Sequence, residues 1–270
     1  MESKNRGRGR YLRLYGMFVG QYWKKLMEYR ADFLIGLLGF FLFQATGIAF
    51  LYLVFQRIPS LNGWSFEQVL FIYGFAQIPR GLDHLLTDNL WMLSNRIIAN
   101  GEFDRYLLRP ANPLFQLIAE VFQPDALGEL IVGFGLVIYA ALGLGLSFGV
   151  LEILIFTALI ITGTVIYTSI KLVFASMAFW LKKTQSILFL VYTLGDFAKY
   201  PIGIYHPVIR VLISAIIPFA FTAYYPAAWF LGQETLLLAL GGSALAAVLI
   251  FTLGYTVWNK GISAYESSGS

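Results

Sequence analysis

Long apolar stretches separated by short polar connections run through most of this chain. The first stretch, Phe33–Phe55, contains 23 residues and no charged side chain. An α-helix rises about 1.5 Å per residue, so about 20 residues cross the roughly 30 Å hydrocarbon core of a bilayer. The stretch also lacks the polar stripe of a surface helix. The pattern therefore predicts a membrane-spanning helix.

Similar stretches follow along the rest of the chain. The second begins near Phe66 and continues to Leu93 with polar residues among the apolar ones. A shorter apolar run over residues 114–122 is ended by Pro124. Further candidate spans cover residues 126–146, 153–180, 186–204 and 236–258. The pattern predicts an all-α integral membrane protein, although the candidate at 186–204 is weaker because it contains Asp196 and Lys199.

Residues 208–231 are also apolar, but Pro218 and Pro226 interrupt them. Proline breaks the hydrogen bonding of a lipid-facing helix and is tolerated where protein covers the backbone. We therefore predict six spans, with residues 204–231 forming an outer re-entrant or surface element broken at Pro207, Pro218 and Pro226. The alternative is a seventh span over this segment.

Positive charge predicts the orientation, because cations near span ends mark the cytoplasmic side. Eight of the 19 basic residues precede the first span: Lys4, Arg6, Arg8, Arg10, Arg13, Lys24, Lys25 and Arg30. Alternation then places the connection over residues 95–112 and the pair Lys182 and Lys183 inside. Seven spans would leave Lys260 outside, whereas six place both termini in the cytoplasm, with Trp258 as an interfacial anchor.

Composition indicates that the whole chain is one membrane domain over residues 1–270. Hydrophobic residues make up 58% and charged residues 13%, with a mean hydropathy of +0.70; soluble domains contain about 25% charged residues. We predict a cytosolic or interfacial segment over residues 1–32, a six-helix domain over 33–258 and a cytosolic tail over 259–270. Residues 11–30 fit an amphipathic interfacial helix, the alternative being a basic leader without fixed structure.

Several kinds of chemistry are excluded by what the sequence lacks. The chain has no cysteine and only two histidines, so thiol catalysis, disulfides and histidine metal clusters are not expected. It also lacks a phosphate-binding loop ending in Gly-Lys-Ser/Thr, HExxH and GxSxG. We therefore predict no catalytic residues, bound cofactor or metal, and no nucleic-acid partner for the net charge of +4. Glycines interpreted as helix-packing positions are Gly133, Gly135, Gly143 and Gly145.

Polar residues within the apolar stretches are candidate interface or pathway groups, because ionisable side chains are costly at membrane depth. Arg80, Asp83 and His84 share one helix face at spacings of three and four. They would line a subunit interface or a translocation path, or else form a simple Arg80–Asp83 pair at the membrane boundary. Asp196 and Lys199 would neutralise each other as a pair, or bind a proton or substrate.

Three carboxylates, Glu120, Asp125 and Glu129, flank the start of the third predicted span. The dipole of a helix favours acidic residues at its N-terminus without any further role. The alternative is general acid–base chemistry, for which no partner nucleophile is evident.

The connection NGEFDRYLLRPANPLF between the second and third spans mixes charged and apolar residues. It predicts a short amphipathic helix over residues 102–108, opened by Gly101 and followed by Pro110. Such a helix suits a groove of a soluble partner, and the alternative is an ordinary interfacial loop. The candidate docking residues are Gly101, Glu102, Phe103, Asp104, Arg105, Tyr106, Leu107 and Leu108.

Four segments in this order resemble the membrane permeases of type-2 ATP-binding-cassette (ABC) exporters. They are EYRADFLIGLLG (residues 28–39), GWSFEQVLFIYGFAQIPRGL (63–82), NGEFDRYLLRPANPLFQL (100–117) and PFAFTAYYPAAWFLG (218–232). The resemblance implies six spans, an N-terminal connecting helix, a cytosolic coupling helix at residues 101–108 and extracellular half-helices before the last span.

The resemblance also implies partners and an energy source. Two ATPase subunits, which bind ATP and Mg, would act on two permease subunits, identical or paralogous, in the bacterial plasma membrane. The permease pair would form the path of a hydrophobic or amphipathic substrate. Two alternatives remain at this stage: a membrane enzyme acting on lipid, through the three carboxylates or the Arg80–His84 face, and an ion-coupled secondary transporter using Asp196 and Lys199.

Overall fold

The computed structural model describes residues 16–17, 20, 24, 27–28 and 30–266. Most of the predicted interfacial segment 1–32, including the amphipathic pattern over 11–30, therefore lies outside the described residues, as do residues 267–270. Every secondary-structure element in the described residues is a helix. The only β-type pairing within these residues is an isolated bridge between Leu61 and Trp64. This agrees with the predicted all-α class.

Ten helices are used below, numbered in chain order. They are α1 (Arg30–Phe55), α2 (Phe66–Thr87), α3 (Asp104–Leu107), α4 (Pro113–Ala119), α5 (Leu127–Gly143), α6 (Val150–Ser176), α7 (Gln185–Leu194), α8 (Pro207–Val211), α9 (Tyr224–Phe230) and α10 (Ser243–Ala264). Shorter helical turns are Asn89–Met92 and Leu93–Ile97 after α2, Pro124–Ala126 before α5, Ala178–Leu181 after α6, Gly195–Lys199 and Ile202–Ile204 after α7, Leu212–Ile216 after α8, Phe219–Thr222 before α9, and Leu237–Gly242 before α10.

Among the residues that the structure describes, four helical stretches are long and apolar enough to cross a membrane. They are Phe33–Phe55, Pro124–Gly143, Val150–Leu181 and Leu237–Ala264. The other two predicted spans fall on α2 and α7. Helix α2 has 22 residues but includes Arg80, Asp83 and His84, whereas α7 has only 10 residues before the chain tightens into a 3-10 turn.

Helix α2 lies at the centre of the bundle, and its start is fixed by a capping box. The Ser65 hydroxyl accepts a hydrogen bond from the backbone N–H of Gln68, and the Gln68 side chain accepts one from the backbone N–H of Ser65. These bonds satisfy two of the backbone donors left free at a helix start. From there α2 packs against α5 and α6 along most of its length.

Two glycines allow α2 and α5 to approach closely. A Cβ atom added to Gly133 would lie 2.8 Å from Cγ1 of Ile78 and 3.0 Å from the carbonyl oxygen of Gly74. The packing role predicted for Gly133 is therefore confirmed. The same role is wrong for Gly135, which has open space beside it, and for Gly145, whose φ of +65° belongs to the turn after α5.

Replacing Gly133 with alanine is expected to lower the free energy of unfolding by about 1–3 kcal/mol, the cost of overpacking a filled interface. Gly135→Ala is the matched control on the same helix, and it should leave stability unchanged or slightly raised because alanine favours helix. Thermal unfolding of the purified variants in one detergent compares the two. Equal effects would contradict the close approach of α2 and α5 at Gly133.

The predicted proline-broken segment forms a hairpin of short helical pieces. Pro207 is the first residue of α8, and Pro218 lies directly before the turn Phe219–Thr222, so breaks at both prolines are confirmed. Pro226 lies in the first turn of α9 and interrupts nothing, because the N–H groups there have no partner within the helix. At the tip of the hairpin the buried ring of Phe219 is 5.1 Å from that of Tyr167 in α6.

The last helix extends further than the apolar pattern indicated. Helix α10 continues past Trp258 to Ala264, and Trp258 is only 1% exposed. Its predicted role as an interfacial anchor is therefore wrong. The indole ring instead fills the space between Phe103 and Phe179, at 5.8 and 5.5 Å between ring centroids.

The helices share two ends, named here the α3 end and the Trp64 end. At the α3 end, Phe103 joins the last turns of α6 and α10 through Phe179 and Trp258. At the Trp64 end, Trp64 packs on Tyr224 of α9. Basic residues described near the α3 end are Arg96, Arg105, Arg109, Lys182, Lys183 and Lys260.

Candidate functional site

The predicted docking segment forms a compact projection at the α3 end. Gly101 has φ +71°, a left-handed conformation that glycine adopts without steric cost. It reverses the chain after the turn Leu93–Ile97, and α3 follows over Asp104–Leu107. The helix is therefore real but shorter than the predicted range 102–108.

Phe103 anchors this projection to the bundle. Its side chain has no exposed surface, and its ring centroid lies 5.0 Å from that of Phe179, 5.8 Å from Trp258 and 5.2 Å from Tyr265. Edge-to-face aromatic pairs at these distances stabilise the fold by more than the burial of their apolar surface alone. The docking segment is thus fixed to the ends of α6 and α10.

Tyr106 anchors the other side of the projection. Its hydroxyl donates a hydrogen bond to the Glu120 carboxylate, which also accepts one from Arg105 at 3.0 Å. Burial, together with the neighbouring Glu120 carboxylate, raises the pKa of Tyr106 to about 12, so its phenol remains a donor at neutral pH. The Tyr106 carbonyl accepts a further bond from the Gln116 side chain in α4.

The tip of the projection is apolar and uncovered. Leu107 is 45% exposed and Leu108 is 85% exposed. The charged residues of the segment are paired within their own chain, although Arg105 is itself 44% exposed. Arg105 is paired with Glu120, and Glu102 accepts a hydrogen bond from Asn100 at 3.2 Å. Asp104 lies beside Tyr265, whose pKa is raised to about 12 by burial first and by this carboxylate second.

A buried ion pair joins α2, α6 and α7 in the middle of the bundle. The Lys171 ammonium lies 2.8 Å from the Asp83 carboxylate, and each side chain is only 1% exposed. Asp83 also accepts hydrogen bonds from the hydroxyls of Thr87, Thr168 and Tyr192, at 2.6, 2.8 and 2.6 Å. A buried charge needs such saturation to offset its desolvation.

Two further ionic groups adjoin this pair. Arg80 lies 2.6 Å from Asp196, which also pairs with Lys199 at 2.7 Å. His84 lies 3.0 Å from Glu129 in the first turn of α5. The predicted Asp196–Lys199 pair is confirmed, with Arg80 added to it.

A polar cavity of about 320 Å³ lies between α2, α5, α6 and α7. It is lined by Arg80, Asp83, His84, Asp88, Trp91, Glu129, Lys171, Gln185 and Tyr192. The candidate pathway residues Arg80, Asp83 and His84 thus border one space, whereas Asp196 and Lys199 lie beyond Arg80 and outside the lining.

Comparison with protein families shows the family of this chain. The family model described as ABC-2 family transporter protein matches residues 41–269, most of the chain. The chain belongs to the ABC-2 transporter family. Searches of curated proteins and of solved structures found no match. The resemblance to ABC-2-type permeases is therefore confirmed, and the chain is a multi-pass membrane protein of an ABC transporter family.

The structure corrects two predictions made from the sequence. The Arg80–Asp83 pair is wrong, because Asp83 bonds Lys171 of α6 while Arg80 reaches Asp196 after α7. The suggested carboxylate trio is not assembled either. Glu120 pairs with Arg105 of the docking segment, whereas Glu129 faces His84.

Sequence reasoning missed Lys171 and Tyr192 in the ABC-2 chain. Lys171 had a usable signal, since it and Glu152 are the only charged residues in the apolar stretch Val150–Leu181. An ionisable residue inside a span is a functional candidate by default. Tyr192 had no such signal, because a tyrosine in an apolar helix is unremarkable until its partner is known.

Proposed function

We propose that this chain is the permease subunit of an ABC exporter for a hydrophobic or amphipathic substrate. It crosses the bacterial plasma membrane six times, through α1, α2, α5, α6, the α7 segment and α10. Separate ATPase subunits bind ATP and Mg and supply the energy, and the permease itself binds no nucleotide. Family membership and the four long apolar helices support this proposal.

The distribution of basic residues supports cytoplasmic termini. Six basic residues lie near the α3 end, while Arg57 and Arg210 lie towards the opposite end. Cations concentrate on the cytoplasmic side of membrane proteins. The α3 end, which includes the end of α10, therefore faces the cytoplasm, and the broken hairpin of α8 and α9 enters from the outside.

One observation supports the role proposed for residues 101–108: an exposed apolar tip is built on a buried aromatic anchor. Leu108 is available to a partner, while Phe103 is packed between the ends of α6 and α10. A displacement of the tip by an ATPase would therefore move two long helices together. We assign this segment as the coupling helix that docks on the ATPase.

Exposed ionic groups at membrane depth support a second permease subunit. Arg80 lies 14 residues into α2, about 21 Å along its axis. The side chains of Arg80 and Asp196 are 28% and 46% exposed. Charged groups facing hydrocarbon are costly, so this face requires a covering subunit or a water-filled path. Two permeases, identical or paralogous, with two ATPases would supply both.

Replacing Leu108 with serine is expected to weaken ATPase binding about tenfold, because a central apolar contact is lost while the anchor is unchanged. Affinity is measured by titrating the ATPase subunit that co-purifies with the wild-type chain onto the full-length variants in nanodiscs. Leu237→Ser is the matched control, since Leu237 is 83% exposed at the Trp64 end. Equal affinities for both variants would contradict docking through residues 101–108.

A further inference from the structure

The polar cavity between α2, α5, α6 and α7 has an unequal distribution of charge. Within the described residues, Lys171 is the cation that forms ion pairs with Asp83 and Asp88, at 2.8 and 3.6 Å. One ammonium group therefore faces two carboxylates. Arg80, the other permanent cation of the lining, pairs with Asp196, which it shares with Lys199. Asp83, Asp88 and Lys171 together therefore have a net charge of −1.

Glu129 adds one carboxylate oxygen that has no hydrogen-bond partner among the described residues. Its Oε1 atom lies 3.0 Å from Nδ1 of His84, whereas its Oε2 atom is buried and has no hydrogen-bond partner among the described residues. The side chain is only 10% exposed and lines the cavity. An unpaired buried carboxylate oxygen is costly, so it indicates a ligand that donates hydrogen bonds or positive charge.

Aromatic rings complete the lining on the same side. Trp91 and Tyr192 meet edge to face with their centroids 5.2 Å apart. The Lys171 ammonium already lies 5.5 Å from the Tyr192 ring, which shows that a cation is accommodated there. The indole of Trp91 is a still better partner for a cation.

We infer that this cavity binds the ammonium headgroup of an amphipathic organic cation, held by Glu129 and Asp88 against the ring of Trp91. A volume of about 320 Å³ is at the small end of ligand sites. It admits a headgroup, while the alkyl tail lies outside among the lipid-facing helices. This inference rests on the proposed transport function and specifies its substrate class.

Binding to the full-length chain in phosphatidylcholine nanodiscs tests the inference. The probes are dansyl-labelled dodecylammonium, its neutral dodecanol analogue and its dodecyl sulfate analogue, with dansyl fluorescence as the readout. The cationic probe should bind about tenfold more tightly than the other two. Glu129→Gln should remove most of this preference and leave the neutral probe unaffected. Glu152→Gln, the same change at the start of α6, should bind like the wild type.

A second variant guards against misfolding of Glu129→Gln. Asp88 is 17% exposed and lies 3.6 Å from Lys171, a long ion pair. Asp88→Asn should therefore fold, and it should weaken binding of the cationic probe severalfold. Equal affinity for all three probes, or unchanged cation affinity in both variants, would overturn the inference.

Failure here is distinguishable from failure of the proposed function, because probe binding requires no ATPase. A lost cation preference with intact Leu108-dependent ATPase binding would refute only the substrate class. Selective cation binding without any ATPase association would refute the exporter assignment instead.

Discussion

Replacing Lys171 with methionine is expected to lower the free energy of unfolding by about 3–5 kcal/mol, the cost of breaking a buried ion pair from one side. The change leaves Asp83 as an uncompensated charge with 1% of its side chain exposed. The three hydroxyls that donate to it remain, but they do not neutralise it. Unfolding of the purified chain in mixed micelles, followed by circular dichroism, measures the loss.

A double-mutant cycle separates this charge effect from lost packing. Asp83→Asn in the Lys171→Met background removes the uncompensated buried charge at position 83 with nearly the same shape, so most of the stability should return. The coupling energy between the two positions would then be large, as expected for residues in contact. A double variant as unstable as the sum of the two single variants would show that the pair contributes independently of charge.

Phe103→Ala is expected to lower the free energy of unfolding by about 3–5 kcal/mol, the range for truncating a fully buried aromatic side chain. The loss removes the contacts with Phe179, Trp258 and Tyr265 at the α3 end. Because the tip at Leu108 would remain present but unanchored, ATP hydrolysis by the docked subunits should no longer drive transport. Thermal unfolding and substrate-stimulated ATPase activity are the two readouts.

Two controls accompany the Phe103 variant. Phe103→Leu keeps most of the side-chain volume and should lower the free energy of unfolding by less than about 1.5 kcal/mol. Phe189→Ala removes the same atoms from a side chain that is 68% exposed, so it should change neither readout much. If Phe103→Ala retained full stability and full coupling, Phe103 would not be the anchor of the docking segment.

Features that depend on local chemistry or on membrane thickness could be predicted from the sequence. Four predicted spans coincide with long apolar helices, since about 20 apolar residues are needed to cross a bilayer. Breaks at Pro207 and Pro218 follow from the missing N–H group and ring of proline. The short helix at Asp104–Leu107 follows from Gly101 and the amphipathic pattern.

Partners in the polar cluster could not be predicted, because they come from different helices. One of the two alternatives for Asp83 paired it with Arg80, three residues away, but its ammonium partner is Lys171 on α6. Nothing local indicates which face of α2 meets α6 and which meets α7. Trp258 was misassigned for the same reason: a tryptophan at a span end fits a membrane interface until Phe103 packs against it.

The most direct test of the account is the accessibility of position 108. The chain contains no cysteine, so Leu108→Cys creates a single labelling site. A membrane-impermeant maleimide should not label it in intact cells, should label it in inverted membrane vesicles, and should label it less when the ATPase is bound. Labelling in intact cells, or labelling in vesicles that the bound ATPase leaves unchanged, would contradict a cytoplasmic segment that docks on the ATPase.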